Sequence, residues 1–185
     1  MTGLTSNVSI ASNAILLLGG GTIASLTEDS AQSIIAANLY ENSYLSVLTS
    51  HRWRFATKKA KLSRLSETPI NGYSHKFQIP SDCLYVIKAD TNNYEIYEST
   101  IHCNSIEVEI DYTYRVDESS LPAYFTKMLE FFLASQFAVP LTGDLNKADM
   151  YYKSYSDQLK KAKFADSTQR PNVGIQHSPY VDARY

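Results

Sequence analysis

Residues 29–56 change their hydrophobic period part-way along, and that change constrains the fold more than any other feature of the chain. Asp29 can cap the first turn of a helix while Gln32, three residues on, reaches back to the cap's own N–H. Apolar residues then recur at Ile34, Ala37, Tyr44, Leu45 and Leu48, flanked by Ile35, Leu39 and Val47 and interrupted by Glu41. This is the pattern of a helix that touches more than one neighbour. After Ser50 the spacing falls to two, so Trp53, the only tryptophan, and Phe55 share one side of an extended segment. A helix that runs into a strand through one Trp demands a helical layer and a sheet in the same fold, with Trp53 between them.

More helices flank this unit. Val8, Ala11, Ile15 and Leu18 lie at helical spacing and stop at Gly19-Gly20-Gly21. No strand precedes that glycine run and no Lys-Ser or Lys-Thr follows it, so it is a helix stop and not a phosphate-binding loop. With no Lys or Arg before Arg52, the first apolar stretch lacks the basic region of a signal peptide, and no stretch is long enough to span a membrane. Later, Ser119 or Ser120 can cap a helix with Pro122 in its first turn. Residues 124–139 are apolar nearly all round, which predicts the central buried helix, stopped by Pro140. A partner capped by Thr142 or Asp144 carries Leu145, Ala148, Tyr152, Tyr155, Leu159 and Ala162 at intervals of three and four, so the two should form a hairpin. The helices are thus expected at 6–18, 30–50, 121–139 and 144–164.

The sheet should occupy 53–116. Lys58, Lys59, Lys61 and Arg64, threaded by Ala60, Leu62 and Leu65, read as a half-exposed strand with a solvated basic face. Asn71-Gly72 marks a turn and Pro80-Ser81-Asp82-Cys83 a break, with strands following at 84–88, 94–98 and 100–103. From 106 to 116, Ile106, Val108, Ile110, Tyr112, Tyr114 and Val116 alternate with polar residues that include Glu107, Glu109 and Asp111, which predicts a core face and an acidic face. The fold class is therefore α+β: a four-helix layer with a small antiparallel sheet inserted between the second and third helices. Residues 1–165 make one domain, and the polar stretch 166–185 makes an extended C-terminal tail.

Bulk properties narrow the function. A chain of 185 residues is long enough to bury about 70% of its unfolded surface. A net charge of -2 argues against a general nucleic-acid binder, and two cysteines, Cys83 and Cys103, suit reduced core positions. The fourteen tyrosines fit subunit contacts, where a flat ring is buried and its hydroxyl stays wet. Paired acids do hydrolytic work when their surroundings separate their pKa values, and one shared exposed face does not separate Glu107, Glu109 and Asp111. His102-Cys103 lacks a second pair of metal ligands, and no serine, histidine and acid arrangement has a local signature. No enzyme activity, cofactor or metal is expected. The alternatives are a wall-degrading protein using those acids, or a DNA-binding module using Lys58, Lys59, Lys61 and Arg64.

Several segments resemble the head-to-tail adaptor proteins of short-tailed bacteriophages, the group of tail tubular protein A and the portal-binding tail accessory factor. They are Trp53-Arg54-Phe55-Ala56 at the helix end, Phe77-Gln78-Ile79-Pro80-Ser81-Asp82-Cys83-Leu84 entering a strand, and Tyr112-Thr113-Tyr114. To these are added Leu133-Ala134-Ser135-Gln136-Phe137-Ala138-Val139-Pro140-Leu141-Thr142, then Tyr155, Leu159, Ala162 and Asp166, so the likeness covers nearly the whole chain in order. The resemblance implies a structural virion protein, assembled in the host cytoplasm as a dodecameric ring beneath the portal. Such a ring extends the channel for genome ejection and carries the tail nozzle or fibres. Some relatives are credited with wall-degrading activity, but no residue pattern here carries it over. The chain is short for the group and lacks the long insertions of some members.

Three sets of residues follow as candidates. Tyr151, Tyr152 and Tyr155 are expected at the subunit interface of a head-to-tail ring. Glu107, Glu109 and Asp111 are expected to line the channel, through which DNA must pass without sequence-specific binding and without sticking. The tail keeps Pro171, Val173, Ile175, Tyr180, Val181 and Tyr185, and members of the group use a C-terminal extension to hold the portal, so these are expected to bind it. No membrane partner is expected.

Overall fold

A computed structural model of the chain describes residues 5–169. It has the expected α+β plan, with four helices and two small antiparallel sheets. Helix α1 (Asn7–Leu17) opens on a reciprocal cap between Ser6 and Ser9 and closes at Gly19, whose φ of 87° suits a residue without a side chain. Helix α2 (Ala31–Thr49) is capped by Ser30, not Asp29, through Ser33 N–H donating to the Ser30 hydroxyl at 3.2 Å.

The buried stripe of α2 is Ser33, Ala36, Tyr40, Ser43, Tyr44, Val47 and Leu48, while Ile34 is exposed. The expected stripe holds at Tyr44 and Leu48, but Ile34 and Ala37 are exposed and Ser33, Ala36 and Tyr40 are buried in their place, because polar groups here can be buried with partners. Ser33 donates to Ser25 O, and the hydroxyls of Tyr40 and Tyr44 reach Glu118 and the Val116 carbonyl.

Helix α3 (Ala123–Thr142) is the central one, packing on α1, α2 and α4 (Leu145–Ser167). It does not stop at Pro140. The carbonyl that loses its N–H partner there belongs to Gln136, which is exposed and can turn to water, and the helix ends instead at Gly143 with φ 68°. Helix α4 runs past residue 165, so the expected boundary between domain and tail falls inside a helix: Asp166 is buried. Its inward side is Ala148, Tyr151, Tyr155, Leu159 and Ala162, whereas Leu145 and Tyr152, placed on the seam by spacing, are exposed.

The helical core closes around Trp53, which is fully buried with its ring edge-on to Phe125 at 5.2 Å and its indole N–H donating to Val47 O. Such a ring removes roughly 150–250 Å² from water, an upper estimate of about 4–6 kcal/mol at ~25 cal/mol/Å². Tyr44 and Phe55 pack on the same Phe125.

The sheet residues form a second core of Leu62, Phe77, Ile79, Ala89, Ile101, Cys103, Val108, Ile110 and Tyr112. One sheet has the order β1 (Thr57–Lys61), β7 (Glu109–Tyr114), β4 (Cys83–Ala89). The other has β2 (Ser63–Arg64), β3 (His75–Gln78), β6 (Thr100–Cys103), β5 (Tyr94–Tyr97). Strand β1 runs straight into β2 through Leu62, so the two sheets are joined along one margin. At the other margin, among the described residues, β4 pairs only with β7 and β5 only with β6. The strand expected at 106–116 is shorter: Val108, Ile110 and Tyr112 face the core as predicted, but Ile106 lies before β7 and is exposed.

Candidate interaction surface

Two neighbouring stretches join the sheet module to the helices. Residues 53–56 lead into β1 and 114–116 lead out of β7, and Tyr114 N–H donates to Ala56 O at 3.1 Å. Arg115 bolts this passage to α2. Its guanidinium grips both oxygens of Glu41 at 2.7 and 2.9 Å, bonds Glu118 at 2.9 Å, and lies over the Tyr44 ring. The hydrogen bonds from Arg115 hold the Glu41 carboxyl below the usual range, and those to Glu41 raise the guanidinium further. On the opposite side, the buried Asp166 carboxylate accepts the Arg54 N–H at 3.1 and 3.2 Å and the Tyr124 hydroxyl at 2.9 Å. Burial, then that hydrogen bond, pushes the Tyr124 phenol up.

The acidic and basic runs of the sequence turn out to be one ladder. Register places Lys59 opposite Asp111 and Lys61 opposite Glu109. Lys61 then pairs with Glu107 at 2.7 Å, Lys58 with Asp82 at 2.8 Å, and Asp111 with Arg52 at 2.8 Å. The expected acidic face is therefore charge-balanced, and Asp111 is only half-exposed beneath its partners. The lysines that would have met phosphate already hold carboxylates; the Lys58 ammonium, raised by its Asp82 hydrogen bond, also lies 3.9 Å from the Tyr114 ring centre.

The open margin between β4 and β5 is a groove of about 690 Å³. Ile79, Leu84, Val86, Tyr94 and Ile96 line it together with Pro80 and with Glu98, whose φ is 52°. Cys83 lies in its wall, where burial pushes the thiol up. Leu84 and Ile96 are exposed, as is Tyr85 beside them. A second hollow of about 460 Å³ lies against β6, where Tyr97 packs on His102 and Lys76 holds Glu67 at 3.2 Å. Among the described residues, no group of three or more His, Cys, Asp or Glu is placed to hold a metal ion, and no helix is long and apolar enough to cross a membrane.

The three tyrosines of α4 separate. Tyr152 is exposed, Tyr151 is half-buried with its hydroxyl on the Leu17 carbonyl, and Tyr155 is buried against Phe132. Tyr155 therefore belongs to the chain's own core, a correction to its expected place on an outer interface. Pro171, Val173, Ile175, Tyr180, Val181 and Tyr185 lie outside the described residues. Sequence reasoning missed the groove altogether, although a signal existed: Leu84-Tyr85-Val86-Ile87 is a continuous apolar run and not an alternating one, the mark of a strand with apolar demand on both faces. No protein-family model matches the chain, and no curated protein matches it.

Proposed function

We propose that this chain is a structural subunit of the virion of a short-tailed bacteriophage, a head-to-tail adaptor that docks as a ring beneath the portal. The observation that carries the reading is the plan of the molecule: a helical layer with its own core, and a separately cored sheet module inserted between α2 and α3. A layer that folds on itself can be packed side by side in a closed ring, and the module carried beyond it can meet a different partner. Exposed Leu145, Met150 and Tyr152 on α4 give the layer an apolar outer side for such packing. In this reading the portal takes the C-terminal segment 170–185, the sheet module faces the tail nozzle or fibres, and the charge-balanced ladder offers passing DNA no free row of cations. The protein does no chemistry and takes no cofactor.

Electron microscopy of the protein mixed with intact portal rings tests the reading. Joint particles with a second ring of twelve subunits seated on the portal are the expected result. Portal rings that stay bare at micromolar adaptor sink it.

A further inference from the structure

Among the described residues no strand covers the open margin of the sheet module, and the chain contains a segment patterned to supply one. From 171 to 185 the odd positions read Pro171, Val173, Ile175, His177, Pro179, Val181, Ala183 and Tyr185, while the even positions are Asn172, Gly174, Gln176, Ser178, Tyr180, Asp182 and Arg184. Period two with one apolar side is the pattern of an edge strand over a hydrophobic face. Both prolines fall on the odd set. Residues two apart point their N–H groups to the same side, so a strand that pairs through its even residues keeps both missing donors away from its partner.

We propose that in the free protein this segment lies in its own groove, pairing with the free edge of β4 and setting Val173 and Ile175 over Leu84, Val86 and Ile96. Where the described chain ends favours this occupant. Asp166 ties the end of α4 to Arg54 N–H and to Tyr124; Tyr124 packs on Phe55; the Phe55 carbonyl accepts from Tyr114; and Tyr114 stands opposite Cys83, the first residue of β4. The end of α4 therefore lies at the end of the module where β4 begins. Fully extended, it spans on the order of 50 Å at about 3.3 Å per residue, ample for the groove. The proposal does not depend on the adaptor reading. Where both hold, groove and portal compete for one segment.

Cys83 in the groove wall supplies the test. Single variants Val173→Cys, Gly174→Cys, Ile175→Cys and Gln176→Cys are made in the full chain and oxidised mildly, and intramolecular disulfides are read by mass and non-reducing gel. An odd position linking to Cys83 within one molecule, with both even positions staying free, is the expected outcome. Equal linking at odd and even positions, or none at all, overturns the proposal. Links that form only between molecules and rise with concentration overturn it in favour of a second copy. A companion measurement needs no thiol chemistry. Val173→Asp with Ile175→Asp should speed hydrogen exchange in β4 by about tenfold while leaving α3 unchanged. Exchange in β4 that is the same in both proteins overturns it too.

Discussion

In the helical layer the largest rings lie inside: Trp53, Tyr44, Phe125 and Phe137 are all fully buried. In the sheet module only Phe77 among the rings is so enclosed, while Tyr85 and Tyr97 stand in solvent. The layer also buries polar side chains and gives each of several a partner, as with Ser12 and the Ile23 N–H or Glu130 with Asn13 and Lys127. The module instead lays its charges outside in pairs. The difference teaches where stability resides. Three helices surround α3 and complete one another, whereas the module is a thin core with one margin unfinished, held in place by what happens at residues 53–56 and 114–116.

The most damaging change should be the one that removes the layer's shared ring. Trp53→Ala is expected to cost about 3–5 kcal/mol in denaturant unfolding. One transition, followed alike by helix and sheet signals, would show the regions unfolding together; a sheet signal unmoved by the change would mean that the module does not depend on the layer. Next comes Asp166→Ala, which strands the Arg54 N–H and the Tyr124 hydroxyl and should cost about 1–3 kcal/mol. A smaller effect is expected from acid. The Glu41 carboxyl titrates lower in the folded chain than in the unfolded one, so its contribution is complete above the ordinary carboxylate range and is lost as pH falls through the folded value. Glu41→Gln should flatten the decline of thermal midpoint in that acidic window and leave its slope near neutrality unchanged. Smallest of all, Lys61→Ala removes an exposed rung of the ladder and should leave the midpoint where it was. A clear drop there would mean that the ladder holds the module together.

The helices were legible because their signals are local. The buried run 124–139 identified α3, and a glycine marked the end of α1. What spacing missed were questions of phase. In α2 and α4 apolar residues sit on several sides, and the choice among them was made by distant polar partners: Glu118 for Tyr40 and Leu17 O for Tyr151. The acidic strand face was read correctly as a face, yet its neutralisation depends on β1 pairing with β7 across some fifty residues, and no local pattern encodes that register. The end of α4 was misplaced because Asp166 looks like a solvated acid until Arg54 N–H and Tyr124 are brought to it.

The paired passages between layer and module have a mechanical consequence. Strands β1 and β7 are antiparallel, so the start of one and the end of the other lie together at the helices, linked by the Tyr114 to Ala56 bond. A pull on the far end of the module loads both stretches equally and in the same sense, so it neither shears nor unzips the bonds between them. The load passes into the ring of Trp53 on one side and the guanidinium of Arg115 on the other. A sideways push meets only this narrow root. The module is thus a lever arm, stiff in tension and compliant in bending.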